Sequence, residues 1–281
     1  MTRSALFALT DSGTLRPLAR AVSGWGADHM RGMAVAGALA RAVESKATEL
    51  GENLVPGRFT LDLFRPVRMT DLSTEVTVVR NGRRLCLLDA LLLQNGEVMA
   101  RASASFVAPS DSSGSSAWPG APDLIPTLPR VDLASLPDES ERIYGTDSRG
   151  WMPLDEVPYD ADRKWVWMVP APVVEGEVPT GFQAAASCAD VVSVVANLDE
   201  HGLGFINTDL TMTLARQPVG AFIGLVANSR TEAAGVSAAS AASAASAAMF
   251  DAEGACGLVS ATSLSAAPIM LTPPMKLRYE R

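Results

Sequence analysis

"FINTDLTMTLARQPVGAFIGL", residues 205–225, reads as two β-strands on either side of Gln217-Pro218-Val219-Gly220. The first strand carries Asn207 and Asp209 among apolar neighbours, and a side-chain period of two puts both on one face. An amide and a carboxylate in such a strand need a hydrogen-bond partner or a chemical task.

Working outward, "TGFQAAASCADVVSVVANLDEHG" (180–202) precedes this stretch as a small-residue helix. A run ending "AAMFDAEG" (247–254) and then "ACGLVSATSLSA" (255–266) follow it as strands. The same order stands earlier in the chain. Residues 25–51 read as one helix, because Met33, Ala36, Ala40, Val43, Ala47 and Leu50 recur at spacings of three and four and Gly51 can end it. Strand-like runs follow at 58–67, 73–82, 84–96 and 98–109, with Asn81-Gly82 and Asn95-Gly96 as turns. Both halves place an arginine near a proline, then a hairpin glycine before a small-residue strand. The fold class expected is therefore α+β, two repeats of a long helix wrapped by an antiparallel sheet. The expected units are 1–110, a linker packed on the domains at 111–172, and 173–281. The linker is rich in proline and serine at its start and carries Trp151, Trp165 and Trp167, so much of it should pack against a domain.

Composition narrows the function classes. With 48% hydrophobic and 19% charged residues, the 281-residue chain can bury a real core. A net charge of −8 disfavours general nucleic-acid binding. Cys86, Cys188 and Cys256 are widely spaced in apolar surroundings, which suits core packing in a reducing, cytoplasmic setting better than a disulfide framework. No stretch reaches the length of a membrane span, so no membrane insertion is expected. "VSAASAASAASAAMF" (236–250) has period three, matching neither helix nor strand; its place in the order calls for a strand with an inserted or bulged portion.

Four pieces together carry a resemblance: "W-(x)3-H-M-R-G" ahead of the first helix, "FRPV", "VVRNGRR", and "FINTDLTM" followed by its Arg, Pro and Gly. The ensemble resembles the acyl-CoA thioesterase II family and its actinobacterial thioesterase-like relatives, over both halves and poorly over the linker. The resemblance implies a double hotdog, hydrolysis of acyl-CoA by an activated water without cofactor or metal, and a homodimer or larger assembly. In that family an aspartate on the second-half helix, a hydroxyl or amide residue on the next strand and a glutamine on the last strand hold the water. Asp190 matches the aspartate and Asn207 the strand residue. The glutamine falls at about Thr262, in a strand that has none, so Thr262, or Gln183 reaching in from elsewhere, would have to substitute. This departure keeps a non-hydrolysing acyl-thioester binding protein as the alternative.

A carboxylate flanked by Cys188, Ala189, Val191 and Val192 should have a raised pKa if buried without partners, although the mixed helix face also allows a surface aspartate. Asn207 would face Asp190 across the helix-sheet seam, leaving Asp209 to a supporting network. His29 is read as structural or as tunnel lining, and Gly32 as a place where an acyl chain or thioester approaches closely. Arg80, Arg83 and Arg84 form a basic hairpin that either binds CoA phosphates or keeps its turn solvated. The corresponding helix positions of the first half, Gly37 to Ala40, offer no carboxylate, so one site per chain is expected.

Overall fold

The computed structural model describes residues 4–51, 54–110, 125–129, 142–153, 156–234 and 241–270. Small strands come first: β1 (Phe7–Leu9), β2 (Leu15–Pro17), β3 (Val22–Ser23) and β4 (Gly26–Met30). Helix α1 (Gly32–Leu50) leads into β5 (Val55–Asp62), β6 (Ser73–Asn81), β7 (Leu85–Gln94) and β8 (Glu97–Val107). After β9 (Arg142–Thr146), β10 (Gly150–Pro153) and β11 (Lys164–Met168) come α2 (Gly181–Ala189) and α3 (Val192–Asn197). The chain continues through β12 (Leu198–Asp199), β13 (Gly202–Leu214), β14 (Ile223–Ala234), β15 (Ala241–Asp251) and β16 (Gly254–Ile269).

Among the described residues, β1 pairs with β2 and β3 with β4, and the other strands form one twelve-stranded sheet in the order β10-β9-β11-β14-β15-β16-β13-β5-β8-β7-β6, with β12 paired to β13. Four strands after α1 run β5-β8-β7-β6 and four after α3 run β13-β16-β15-β14; the two groups meet where β5 and β13 pair antiparallel, Asp62 opposite Asp209. Sheet alternation sends Phe59, Leu61, Leu88, Ala102 and Met212 inward to one buried core around α1 and α2. Residues 142–168 are more than a packed connection, since β9 to β11 extend the sheet beyond β14.

Helix α1 begins later than its apolar spacing predicts. Residues 26–30 form β4 instead, where the Met30 N–H donates to the Val67 carbonyl, and Arg31 is still extended at φ −70° and ψ 145°. Helical spacing cannot register these tertiary hydrogen bonds. From Met33 to Ala40 the helix is buried, and this small-residue run lets α2 approach so closely that the Ser187 hydroxyl donates to the Met33 carbonyl at 2.8 Å.

The predicted helix over 180–202 is interrupted at Asp190 and Val191, and its last residues enter β12 and β13. The Val191 N–H turns back to the Cys188 carbonyl, while the Asp190 carbonyl accepts from the Asn207 side chain at 2.9 Å. A side chain from β13 thus replaces a helical donor at the break.

The predicted turn at Asn95-Gly96 has φ of 52° and 80°, the left-handed pair of a tight hairpin. An arginine beside each proline meets a carboxylate of the later hairpin: Arg65 pairs with Glu97 at 2.5 Å, and Arg216 with the fully buried Asp251 at 2.5 and 2.7 Å. Of the Ser/Ala run, 236–240 lies outside the described residues and the remainder belongs to β15.

Candidate functional site

Two elements from different halves converge on the break after α2. Asp190 occupies the end of α2, and α1 directs its first turn at that side chain, with the Met33 N–H bonding the Asp190 carboxylate. Gly32 makes the approach possible, since a Cβ there would lie 2.3 Å from Oδ1 and 2.7 Å from Oδ2 of Asp190. The glycine expected to admit an acyl chain instead admits the carboxylate.

Asn207 completes the contact from β13. Its Nδ2 donates to Oδ1 of Asp190 at 3.1 Å as well as to the Asp190 carbonyl, and its Oδ1 accepts from the Ser263 hydroxyl at 2.9 Å. Asn207 and Ser263 are both buried, so the amide has one orientation that satisfies all three partners. Burial pushes the Asp190 carboxyl above the usual carboxylate range; the Asn207 amide, the charges of Arg142 and Arg31, and the Met33 N–H pull it partly back. A carboxylate held in this way can order a water and accept its proton. The N-terminal end of α1 adds a positive potential beside it.

The structure separates Asp209 from Asn207. A β-bulge between them shifts the register, so Asn207 opposes Ser263 while Asp209 opposes Thr262 and faces the outer side of the sheet. For the same reason Thr262 is exposed and points away from Asp190, its carbonyl accepting from the Thr208 hydroxyl at 3.0 Å. Ser263, one residue on, is the last-strand hydroxyl that reaches Asn207; the alternation of "VSATSLSA" singles out one face but cannot say which face is inward.

Gln183 does not reach Asp190 either. Its amide donates to Glu44 at 2.8 Å, and the same carboxylate accepts from the Thr180 hydroxyl at 2.7 Å, at the start of α2. A first-half carboxylate does therefore stand at the opposite helix end, four residues beyond Ala40 and outside the Asp190 cluster. Burial raises its pKa, opposed by the Thr180 and Gln183 bonds.

His29 lies against Arg68, 2.7 Å from its Nη1, and beside Asp28 on the partly exposed β4. Arg80, Arg83 and Arg84 are exposed at the β6–β7 hairpin. Register places that hairpin level with Val55 and Val107, whereas Asn207 lies beyond the Asp62 end of β5. At about 3.3 Å per residue and 4.8 Å per strand, the separation is roughly 30 Å. The basic hairpin and the Asp190 cluster are not one site. Arg142, from β9, was not among the expected residues: it lies in a segment without clear periodicity, and only the sheet extension brings it to Met33, whose sulfur is 3.1 Å from Nη2.

A groove of about 770 Å³ lies on the outer sheet face, lined by Asp62, Phe64, Leu91, Arg101, Asp209 and Leu264 among others. The inward-facing Asp190 cluster forms no part of it. Among the described residues no group of three or more His, Cys, Asp or Glu side chains is placed to hold a metal ion, and no helix is long and apolar enough to cross a membrane.

Comparison with known proteins gives the fold a family. A conserved hot dog fold protein of unknown function from Alicyclobacillus acidocaldarius superposes with a TM-score of 0.61 at 18% identity, covering 92% of this chain and 93% of that one. A tesB protein of Mycobacterium avium subspecies paratuberculosis gives 0.59 at 16% identity over 88% of each chain. An acyl-CoA thioesterase II from Mycobacterium marinum gives 0.57 at 17% identity, over 84% of this chain and 91% of its own. These similarities show an α+β fold of hotdog type. A search of curated proteins returns no significant match. Sequence models of the acyl-CoA thioesterase N-terminal and C-terminal domains match residues 21–107 and 109–256, and the chain belongs to that acyl-CoA thioesterase family.

Proposed function

We propose that the protein hydrolyses acyl-CoA thioesters to a carboxylic acid and CoA, with Asp190 ordering and activating the attacking water and Asn207 positioning Asp190. The observation that carries this reading is the partly desolvated Asp190 carboxylate, held by Asn207 and by the first turn of a helix from the other half. In the step proposed, Asp190 takes a proton from water as its oxygen attacks the thioester carbon. The carbon–sulfur bond then breaks and the CoA thiolate leaves, taking up the proton. Family membership supports thioester hydrolysis in general. The residue roles rest on the geometry.

The halves are read as tandem hotdog units forming a double hotdog, with 1–110 and 173–281 as the units and 111–172 as the connection. The matching strand orders and the two arginine–carboxylate hairpin pairs support this. Three buried free cysteines accord with a reducing cytoplasm.

One observation favours the second reading, a non-hydrolysing acyl-thioester binder: Thr262 faces outward, and Ser263 spends its hydroxyl proton on Asn207. Free-thiol release from short, medium and long acyl-CoAs, run on wild type beside Asp190→Asn, separates the two. Release lost in the variant supports hydrolysis. An inactive wild type that still binds acyl-CoA calorimetrically supports the binder.

A further inference from the structure

Addition of water to a thioester puts a negative charge on the carbonyl oxygen, and a site that catalyses it aims hydrogen-bond donors at that atom. The neutral donors around Asp190 are already committed. Nδ2 of Asn207 is engaged twice by Asp190, at the carbonyl (2.9 Å) and at Oδ1 (3.1 Å), and the Ser263 hydroxyl donates to Asn207. Of the four N–H groups that open α1, that of Met33 bonds the Asp190 carboxylate, while those of Ala34 and Val35 donate to the Arg31 carbonyl at 3.0 and 3.4 Å. The Gly32 N–H is the one first-turn donor outside these bonds. A lone neutral N–H is little for a full negative charge, so a second donor has to come from another element.

Strand β9 brings one. Arg142 opens that strand and pairs with Met168 of β11, which pairs in turn with Ile223 of β14, so a continuous run of sheet fixes its place. Alternation along β9 sends Ile143 to the small outer core and Tyr144 to the main one, and Arg142 shares the inward face with Tyr144. Its guanidinium lies on the first turn of α1, with Nη2 3.1 Å from the Met33 sulfur and Nη1 3.4 Å from the Tyr144 hydroxyl. Because the Met33 N–H holds Asp190, cation and carboxylate meet at one helical turn. Arg31 is the other cation beside Asp190, and of the two Arg142 acts on the carboxylate more strongly. Arg142 and Asp190 both keep part of their surface open to solvent. A thioether is a weak acceptor, so an oxyanion outcompetes the Met33 sulfur for the same N–H.

We infer that Arg142 is a catalytic residue of the hydrolysis proposed above, on which this assignment rests, and that it donates to the thioester oxyanion as Asp190 takes the proton of the attacking water. As the water oxygen bonds to the carbonyl carbon, the carbonyl π pair moves onto oxygen, and the Nη2 proton turns from the Met33 sulfur to that oxygen. When the oxyanion collapses, the carbon–sulfur bond breaks, the thiolate leaves with the proton that Asp190 held, and Nη2 returns to Met33. In a half-buried site the guanidinium charge is worth more than it is in water.

The test is thiol release from acyl-CoA over a full pH profile with wild type, Arg142→Met and Arg142→Lys, beside the affinity of two CoA ligands. One is a trifluoromethyl ketone thioether of CoA, whose carbonyl takes up water to give a tetrahedral alkoxide; the other is an S-alkyl thioether of equal length without a carbonyl. Arg142→Met is expected to lower kcat about 100- to 1,000-fold with little change in KM, and to weaken the ketone by a similar factor while leaving the thioether unchanged. Arg142→Lys keeps the charge without the planar fork and should fall between the two. If Arg142 acted only through Asp190, its removal would raise the pH at which the carboxylate ionises, and the loss would vanish above that pH. A loss that disappears on the alkaline plateau therefore overturns the inference, as does a folded Arg142→Met protein with wild-type kcat or unchanged ketone affinity. Should Arg142→Met fail to fold, Arg142→Lys decides by the same readouts. A wild type that releases no thiol removes the hydrolytic reading and this inference together. An active wild type that Asp190→Asn silences and Arg142→Met does not removes this inference alone.

Discussion

Replacing Gly32 with alanine gives the sharpest test of the Asp190 geometry. The added Cβ would lie 2.3 Å from Oδ1, 2.6 Å from Cγ and 2.7 Å from Oδ2 of Asp190, where ordinary contact begins at 3.4 Å, leaving a shortfall of 3.4 − 2.3 = 1.1 Å. The carboxylate is held by Asn207 at 3.1 Å and by the Met33 N–H, so it must leave one or both to escape. A displacement of about 1 Å at a reacting group can cost about 100-fold in rate. Stability should change much less: alanine in place of glycine favours a helix by up to about 1 kcal/mol, and one lost hydrogen bond costs a similar amount. The expected outcome is a kcat/KM about 100-fold lower in thiol release, with a melting temperature within a few degrees of wild type. Full activity in a folded Gly32→Ala protein would refute the assignment of catalysis to Asp190 as it stands here.

Ser263→Ala removes the only donor to Asn207 Oδ1 among the described residues; a buried acceptor left unpaired should cost about 1–3 kcal/mol in denaturant unfolding, and the loosened amide should lower kcat more than it raises KM. Because Asp190 must be ionised to act as base, kcat/KM should rise with pH through a value above the ordinary carboxylate range, and this limb should vanish in Asp190→Asn. The raised pKa means that Asp190 disfavours folding increasingly as pH rises from its unfolded towards its folded pKa, so the stability of Asp190→Asn relative to wild type should improve across that window in thermal melts. Asp251 behaves oppositely: burial works against ionisation, but bonds from Arg216 and the Val219 and Glu253 N–H groups outweigh it and lower the pKa. The stability this adds is present above the unfolded carboxylate pKa and is lost as pH falls through the folded one, and Asp251→Ala should destabilise by about 3–5 kcal/mol in denaturant unfolding. Cys256, its thiol pushed up to about 12 chiefly by burial, should resist thiol reagents in the native state, as should the buried Cys86 and Cys188.

Local pattern determined much of this protein. Apolar spacing marks the helical core of α1, alternation with turn residues marks β5 to β8, β13, β14 and β16, and a carboxylate in a small-residue helix marks Asp190; β15 is marked only by its place in the order of elements. Only the tertiary structure decided which side chains meet. The start of α1 moves to Gly32 because β4 hydrogen-bonds elsewhere; the second helix breaks at Asp190 because Asn207 takes its carbonyl. One extra residue in β13 turns Asp209 and Thr262 outward and leaves Asn207 and Ser263 inside. Arg142 reaches Met33 from 109 residues away along the chain. Periodicity reports a residue's neighbours on its own element, whereas a bulge, a helix break and a strand added at a sheet edge are chosen by hydrogen-bond partners distant in sequence.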